Sequence, residues 1–371
     1  MKHSWPIGKI FGIEIRIDSS WLVIFFLVTW MLAATYFPRQ YSGWNRGLYW
    51  IIGIITSLIF FASVLVHELA HSFVAIKQGE KVRSITLFIL GGVAQITAEP
   101  EKPMREFFMA LVGPVSSLVL ALFFLVLSLV LRGLSRPLAA SASYLALINV
   151  MLAVFNLLPG FPMDGGRVLR SIIWKITGNL RKATRIASRV GQGFAFFLIF
   201  VGILQILRGN FSGLWLILIG WFLHSAAITG YEQVMVEAVL KRVRAEDLMT
   251  RDFATVSSLL PVQSLVDDYI LKKRERVFLV ADDGHLRGIV CLEDVKGIPR
   301  ENWPAVKVGE IMTPKEKLEV VSPDADGSQV LSRIIGKNIH QVPVMVGDKV
   351  TGIICRTDIL RFIQLRSELG I

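Results

Sequence analysis

Residues 51–76 read IIGIITSLIFFASVLVHELAHSFVAI, an apolar run long enough to cross a bilayer. Near its end sit His67, Glu68 and His71. A span needs about 20 apolar residues to cover roughly 30 Å of hydrocarbon. An ionised carboxylate within that layer costs at least about 3 kcal/mol on insertion scales. Such a cost persists when something uses the group. On a helix His67 and His71 are one turn apart and share a face. The spacing H-E-x-x-H lets two imidazoles bind one zinc ion, with Glu68 beside the metal to take a proton from its water. The alternative reading is a pair of histidines acting as polar glue between helices.

The rest of the chain fits a membrane protein. It has 371 residues, 53% of them hydrophobic, and a mean hydropathy of +0.56, too apolar for an ordinary soluble protein. Six candidate spans lie near 20–37, 48–76, 104–131, 138–158, 187–207 and 211–230. About twenty mixed residues precede the first, which is read as a retained span rather than a signal peptide. Lys and Arg sort fifteen to five between the two sets of loops, counted from Lys2 to Arg208. The richer set holds Lys77, Lys81, Arg83 and Arg167–Arg189, which puts both termini in the cytoplasm. The net charge of +11 is accounted for by such loops. No Lys/Arg-rich arm with interleaved aromatics speaks for nucleic acid. Two cysteines, Cys291 and Cys355, exclude a disulfide framework and a thiolate zinc cluster.

Between the second and third spans, SITLFILGGVAQITAEP (84–100) is β-branched and too short to cross. It reads as a hairpin or re-entrant strand. Non-helical backbone at membrane depth requires cover by protein or a water-filled cavity. Its stretch Gly91, Gly92, Val93, Ala94 can offer an unpaired edge to a substrate strand.

A catalytic zinc usually takes three protein ligands and leaves one position for water. Asp164, in NLLPGFPMDGGR (156–167), is the best third candidate. It follows the fourth span, after a Pro-Gly-Phe-Pro break that ends or unwinds the helix, and Gly165 and Gly166 permit close backbone approach to a site. Asp164 can instead cap the helix that follows. His224 in the last span is the rival ligand. Asn156 can donate to an oxyanion or hold substrate backbone, or it bonds between helices.

After residue 230 the composition changes to that of a soluble tail, and the tail repeats. AEDLMT (245–250) matches GEIMT (309–313), and RERVFLVADDGHLRGIVCLEDV (274–295) matches IHQVPVMVGDKVTGIICRTDIL (339–360). Each half reads helix, strand, turn, strand, helix. The expected division is a membrane domain over 1–230, a linker over 231–244, and two repeats over 245–305 and 306–371.

HELAH, GGVAQI, LVGPVSS (111–117) and FNLLPGFPMDGGRVLR (155–170) together resemble the site-2 protease family of intramembrane zinc metalloproteases. The resemblance implies that His67, His71 and Asp164 bind one zinc ion, that Glu68 is the general base and acid, and that Asn156 assists substrate or oxyanion. Gly113 and Pro114 match the family's Gly-Pro pair, which implies close packing near the site. The substrates implied are membrane-anchored proteins, in a prokaryotic cell membrane.

The tail resembles a pair of cystathionine-β-synthase (CBS) domains. Such pairs bind adenine nucleotides such as ATP or AMP, or form homodimers. The family's [Ser/Thr]-x-x-Asp reads CLED (291–294) and CRTD (355–358) here. Asp294 and Asp358 stand at the ribose positions, while cysteine, a weak donor, replaces both hydroxyl residues. The cysteines themselves read as small buried strand residues rather than redox sensors.

The fold expected is thus a multi-pass α-helical membrane protein of about six transmembrane helices with a membrane-associated β-hairpin, followed by an α/β CBS pair. The alternatives are a CBS-regulated membrane ion transporter and an inactive zinc-binding scaffold. No inverted repeat between halves of the membrane part supports a transporter, and intact His67, Glu68, His71 and Asp164 speak against decay.

Overall fold

The structure, a computed structural model, describes residues 4–80, 82–89, 91–96, 102–241, 243–272, 275–283, 285–337, 339–347 and 349–368. Lys2, Lys81, Leu90 and residues 97–100 of the expected hairpin segment lie outside them. The chain divides into two compact units, 1–234 and 235–371.

Among the described residues, six helices are long and apolar enough to cross a membrane. They are α1 (Ser19–Gln40), α2 (Arg46–Lys77), α3 (Pro103–Leu131), α4 (Arg136–Asn156), α6 (Leu180–Leu207) and α7 (Gly213–Leu240). A shorter amphipathic helix, α5 (Asp164–Thr177), lies between the fourth and fifth of these. Local chemistry fixes the starts. Asp18 accepts from the Ser20 N–H, Asn45 from that of Leu48 and Asn179 from that of Lys182, satisfying donors a helix leaves open. Gly178, at φ +65, ends α5 in the left-handed conformation, which glycine adopts without penalty. The unit division falls inside α7, so the segment 231–244 expected as linker is helical through Leu240.

In lipid, helices associate through small residues and interhelical hydrogen bonds. Thr29 bonds Ser57 at 3.0 Å, and Thr56 bonds Ser141 at 2.7 Å. Gly202 meets Gly213 backbone to backbone, and Ser188 donates to the Ala227 carbonyl at 2.8 Å. An aromatic cluster of Phe37, Tyr49 and Tyr144, with Tyr36, Tyr41 and Trp44 packed on it, ties the end of α1 to α2 and α4.

The hairpin expected between the second and third spans is present as β3 (Val82–Phe88) and β4 (Gly91–Ile96). It belongs to a larger sheet. The mixed residues ahead of the first span form a second hairpin, β1 (Ser4–Ile10) and β2 (Ile13–Asp18), and β2 pairs in parallel with β3. The strand order is β1-β2-β3-β4, so β4 is an edge. Ile13, Ile15 and Ile85 pack this sheet against Leu65 and Leu69 of α2.

The second unit holds both repeats. The first supplies β5 (Thr255–Val256), β6 (Val277–Asp282) and β7 (His285–Cys291), joined by β8 (Thr313–Pro314). The second supplies β9 (Gln341–Val346) and β10 (Lys349–Cys355). The openings of the repeats cross over. Leu248 of AEDLMT is buried among Val342, Val344 and Ile354 of the second half, and Thr250 bridges to Ile353. Val308, next to GEIMT, is buried among Phe278, Val280 and Val290 of the first half, and Thr313 pairs with Ile289.

Candidate metal centre

His67 and His71 lie one turn apart on α2, both buried, with ring centroids 4.8 Å apart. The Pro-Gly-Phe-Pro break sets down Asp164 as the first residue of α5. Its Oδ2 lies 3.2 Å from His67 Nε2 and 3.1 Å from His71 Nε2, and the two Nε2 atoms are 3.2 Å apart. The helix cap is the backbone of Met163, without a side-chain bond; Asp164 faces the histidines rather than capping.

Each imidazole is held by its other nitrogen. His71 Nδ1 lies 2.6 Å from the Met109 carbonyl and His67 Nδ1 lies 2.9 Å from Ser117 Oγ. A carbonyl only accepts, so His71 Nδ1 carries the proton and Nε2 points its lone pair inward. Electron pairs of a ring and a carboxylate thus converge on one point, and a cation there offsets their repulsion. Ligands on a tetrahedral zinc lie about 3.3 Å from one another. The three atoms here, all within 4.8 Å of one another, therefore fit such an ion. They are the one grouping of this kind among the described residues. His224 takes no part in it and stacks edge-on to Phe196 at 4.9 Å.

The organiser of the cluster is α3, which contributes no ligand. Glu106, Met109, Gly113 and Ser117 form one buried stripe along it, spaced three or four residues apart as a helix face requires. Met109 and Ser117 aim the two rings. Gly113 leaves the room they fill, since a Cβ there would stand 2.1 Å from His71 Nε2 and 2.8 Å from His67 Nε2. Glu106 accepts from Nε of Arg170 on α5 at 2.6 Å, and the Arg170 Nη2 also reaches it. Both side chains are buried. Arg170 is thus a packed ion-pair partner rather than a loop charge. Composition and motif spacing give no sign of the Met109 carbonyl; Ser117 and Gly113 lie within LVGPVSS, where they read only as close packing.

Gly165 and Gly166 also permit close approach, but toward the preceding loop. Cβ atoms there would meet the backbone of Leu157 and of Gly160 at 2.2 Å. Glu68 follows His67 and lies under β4: a Cβ on Gly92 would stand 2.5 Å from its Cγ. Gly91, with φ +132, opens the strand, and Val93 is exposed along it. Asn156 closes α4, and its amide donates to the Leu152 carbonyl one turn back at 3.0 Å.

In the second unit Asp294 Oδ2 accepts from the Cys291 N–H at 2.8 Å and from its thiol at 3.0 Å. Asp358 Oδ2 accepts from the Cys355 N–H at 2.8 Å. One carboxylate oxygen of each therefore caps its own helix. The cysteines end strands β7 and β10, as small strand residues.

Peptidase family M50 is matched over residues 55–142 and 134–199, and CBS domains over 245–300 and 308–365. Full-length relatives carry the same assignment. A protein of Synechocystis provisionally named a zinc metalloprotease is 37% identical, over 98% of this chain and 96% of its own. The zinc metalloprotease MJ0392 of Methanocaldococcus jannaschii is 31% identical, over 100% and 99%. The chain belongs to peptidase family M50. This M50 peptidase is a zinc metalloprotease of the site-2 protease type, carries a CBS pair, and is an integral membrane protein. Family membership sets aside the ion-transporter alternative. A third relative, Rip3 of Mycobacterium tuberculosis, also provisionally named a zinc metalloprotease, is 33% identical over 98% of the M50 chain and 94% of its own.

Proposed function

We propose that His67, His71 and Asp164 hold one zinc ion per chain, and that Glu68 is the proton carrier of peptide-bond hydrolysis in membrane-anchored substrates. The observation that carries this reading is the convergence of one atom each from His67, His71 and Asp164, with the two rings held from behind by Ser117 and Met109. When bound, zinc supplies a Lewis acid and lowers the pKa of its water toward about 7. Glu68 takes the proton of the attacking water and returns it to the departing amine.

The free edge of β4, at Gly91, Gly92, Val93 and Ala94, receives the substrate as an added strand. A transmembrane helix hides its backbone, and strand pairing exposes it to attack. Asn156, at the end of α4, supplies an amide to substrate or oxyanion once it leaves the Leu152 carbonyl.

The boundaries that go with this reading are a protease domain over 1–230, a connection over 231–244, and CBS repeats over 245–305 and 306–371. Both termini face the cytoplasm of a prokaryotic cell, as the charge sorting of the loops supports. The CBS pair binds ATP or AMP through Asp294 and Asp358, or pairs two chains as a homodimer. Titration calorimetry with ATP and AMP, alongside the molar mass in detergent, separates these roles.

The test of the central reading is Glu68→Gln in a membrane-anchored reporter assay. The variant is expected to keep one zinc per chain and to lose cleavage. Cleavage at the normal rate removes Glu68 from the role.

A further inference from the structure

Nothing above uses Arg167, the last residue of MDGGR (163–167). It lies on α5 three positions beyond Asp164, so the two share a helix face, about 4.5 Å apart along the axis. Its side chain reaches the buried Glu106, but only loosely. Arg167 Nε stands 3.7 Å from Glu106 Oε1, too far for a hydrogen bond. That oxygen is already taken by Arg170, whose Nε lies 2.6 Å away. Glu106 and Arg170 neutralise each other, and Arg167 is a cation left over.

Its other charged neighbour is Glu68. The two are near enough for their charges to interact. Yet among the described residues Arg167 makes no hydrogen bond, and its one ion contact is that with Glu106. The N–H groups of Nη1 and Nη2 therefore have no protein acceptor among those residues. Side-chain exposure also rises toward it, from 4% at His67 and 8% at His71 to 14% at Asp164 and 24% at Arg167. The centre opens along α5, with Arg167 on its open side.

Hydrolysis creates charge where the substrate had none. The C–N bond breaks and the water oxygen joins the carbonyl carbon. One water proton reaches the amine through Glu68, and the second follows when the new acid ionises. A neutral peptide bond and one water thus become one carboxylate and one ammonium at neutral pH. An apolar membrane segment offers no anion to Arg167 before the cut. Afterwards a carboxylate stands where the bond was.

We propose that Arg167 binds the carboxylate of the newly formed C-terminus, and so holds the fragment on the amino side of the cut. A guanidinium presents paired N–H groups at the spacing of two carboxylate oxygens. The loose contact at Nε leaves Nη1 and Nη2 for that pair. This inference rests on the hydrolysis proposed above.

The test uses two fluorescent peptides with the sequence of the amino-side fragment of the cleaved reporter. One ends in a carboxylate and the other in a carboxamide. Anisotropy in detergent reads their binding to the zinc-loaded full chain. The wild type is expected to favour the carboxylate. Arg167→Gln should narrow that preference by about 10- to 100-fold, the worth of a hydrogen bond to a charged group, and keep one zinc per chain. Equal binding of both peptides by the wild type overturns the proposal. So does a preference that Arg167→Gln retains in full, because the metal alone then holds the carboxylate. Zinc loss in Arg167→Gln also overturns it, since the residue then braces the ligands. If Arg167→Gln does not fold, Arg167→Lys decides: the charge without the fork should weaken the preference, and an undiminished one refutes the assignment. A wild type that cuts no reporter refutes the hydrolysis and this inference with it, whereas cleavage without carboxylate preference refutes this inference alone.

Discussion

Glu106 and Arg170 meet inside the protein, with Arg170 Nε donating to Glu106 Oε1 at 2.6 Å and both side chains buried. This bond fastens α5, six residues beyond Asp164, to the helix that aims both histidines. Removing one partner of a buried ion pair costs about 3–5 kcal/mol, whereas replacing both by apolar groups of similar volume is far milder. Arg170→Met is therefore expected to lower both the melting temperature in detergent and the zinc content. Glu106→Leu combined with Arg170→Met should recover much of the melting temperature. Equal or additive losses in the double variant contradict the coupling.

Gly113→Ala should abolish zinc binding and cleavage together, because the added methyl occupies the space of His71 Nε2. Gly133→Ala, where a Cβ meets nothing within 4 Å, serves as the control and should behave as wild type. Metal analysis of the purified proteins reads both.

Ser117→Ala removes the hydroxyl against His67 Nδ1. Loss of a partner behind a metal-ligating imidazole typically weakens metal affinity by about 10–100-fold. Competition with a chromogenic chelator should show a shift in that range, with the fold intact by circular dichroism. An unchanged affinity means that the hydroxyl does not orient the ring.

Gly92→Ala crowds Glu68, to which the three atoms nearest the added methyl all belong. It should leave zinc content at one per chain while lowering the cleavage rate. Zinc loss in this variant would place β4 closer to the metal than to the base.

The two thiols of the tail should resist alkylation at neutral pH. Burial, reinforced by the carboxyl of Asp294, pushes Cys291 up to about 11; burial, reinforced by Asp358, pushes Cys355 up to about 12. The thiolate is the reactive form. At pH 8 only about one Cys291 in a thousand carries it, so iodoacetamide labelling should rise about tenfold per pH unit toward 11. The linkage runs the same way. A thiol whose folded pKa lies above its ordinary 9.0 stabilises the fold below pH 9 and loses that contribution as the pH climbs through 11 to 12. Rapid labelling at pH 7 overturns the assignment.

The convergence of His67, His71 and Asp164 is legible in the chain because its signals are chemical and rare. Two imidazoles one turn apart within hydrocarbon need a partner, and Asp164 follows a helix break that no span would otherwise keep. The spans were legible for the same reason of cost. The aiming groups were not. A backbone carbonyl, a serine hydroxyl and a missing side chain at Gly113 look alike in any apolar helix until packing puts them beside a ring. IEIRID (13–18) alternates strictly, which is a strand signal. At six residues it is too short to stand out from the mixed residues ahead of the first span until β3 is seen to pair with it. Nor could the repeat spacing reveal that each opening segment packs on the other half, since both arrangements bury the same residues.

That exchange between halves has a consequence for how the tail can be cut. A chain ending near residue 305 would leave Leu248 without Val342, Val344 and Ile354, and the first sheet without Val308 and Thr313. Neither half is expected to fold as an independent fragment, so the smallest transplantable piece of the tail is both halves at once.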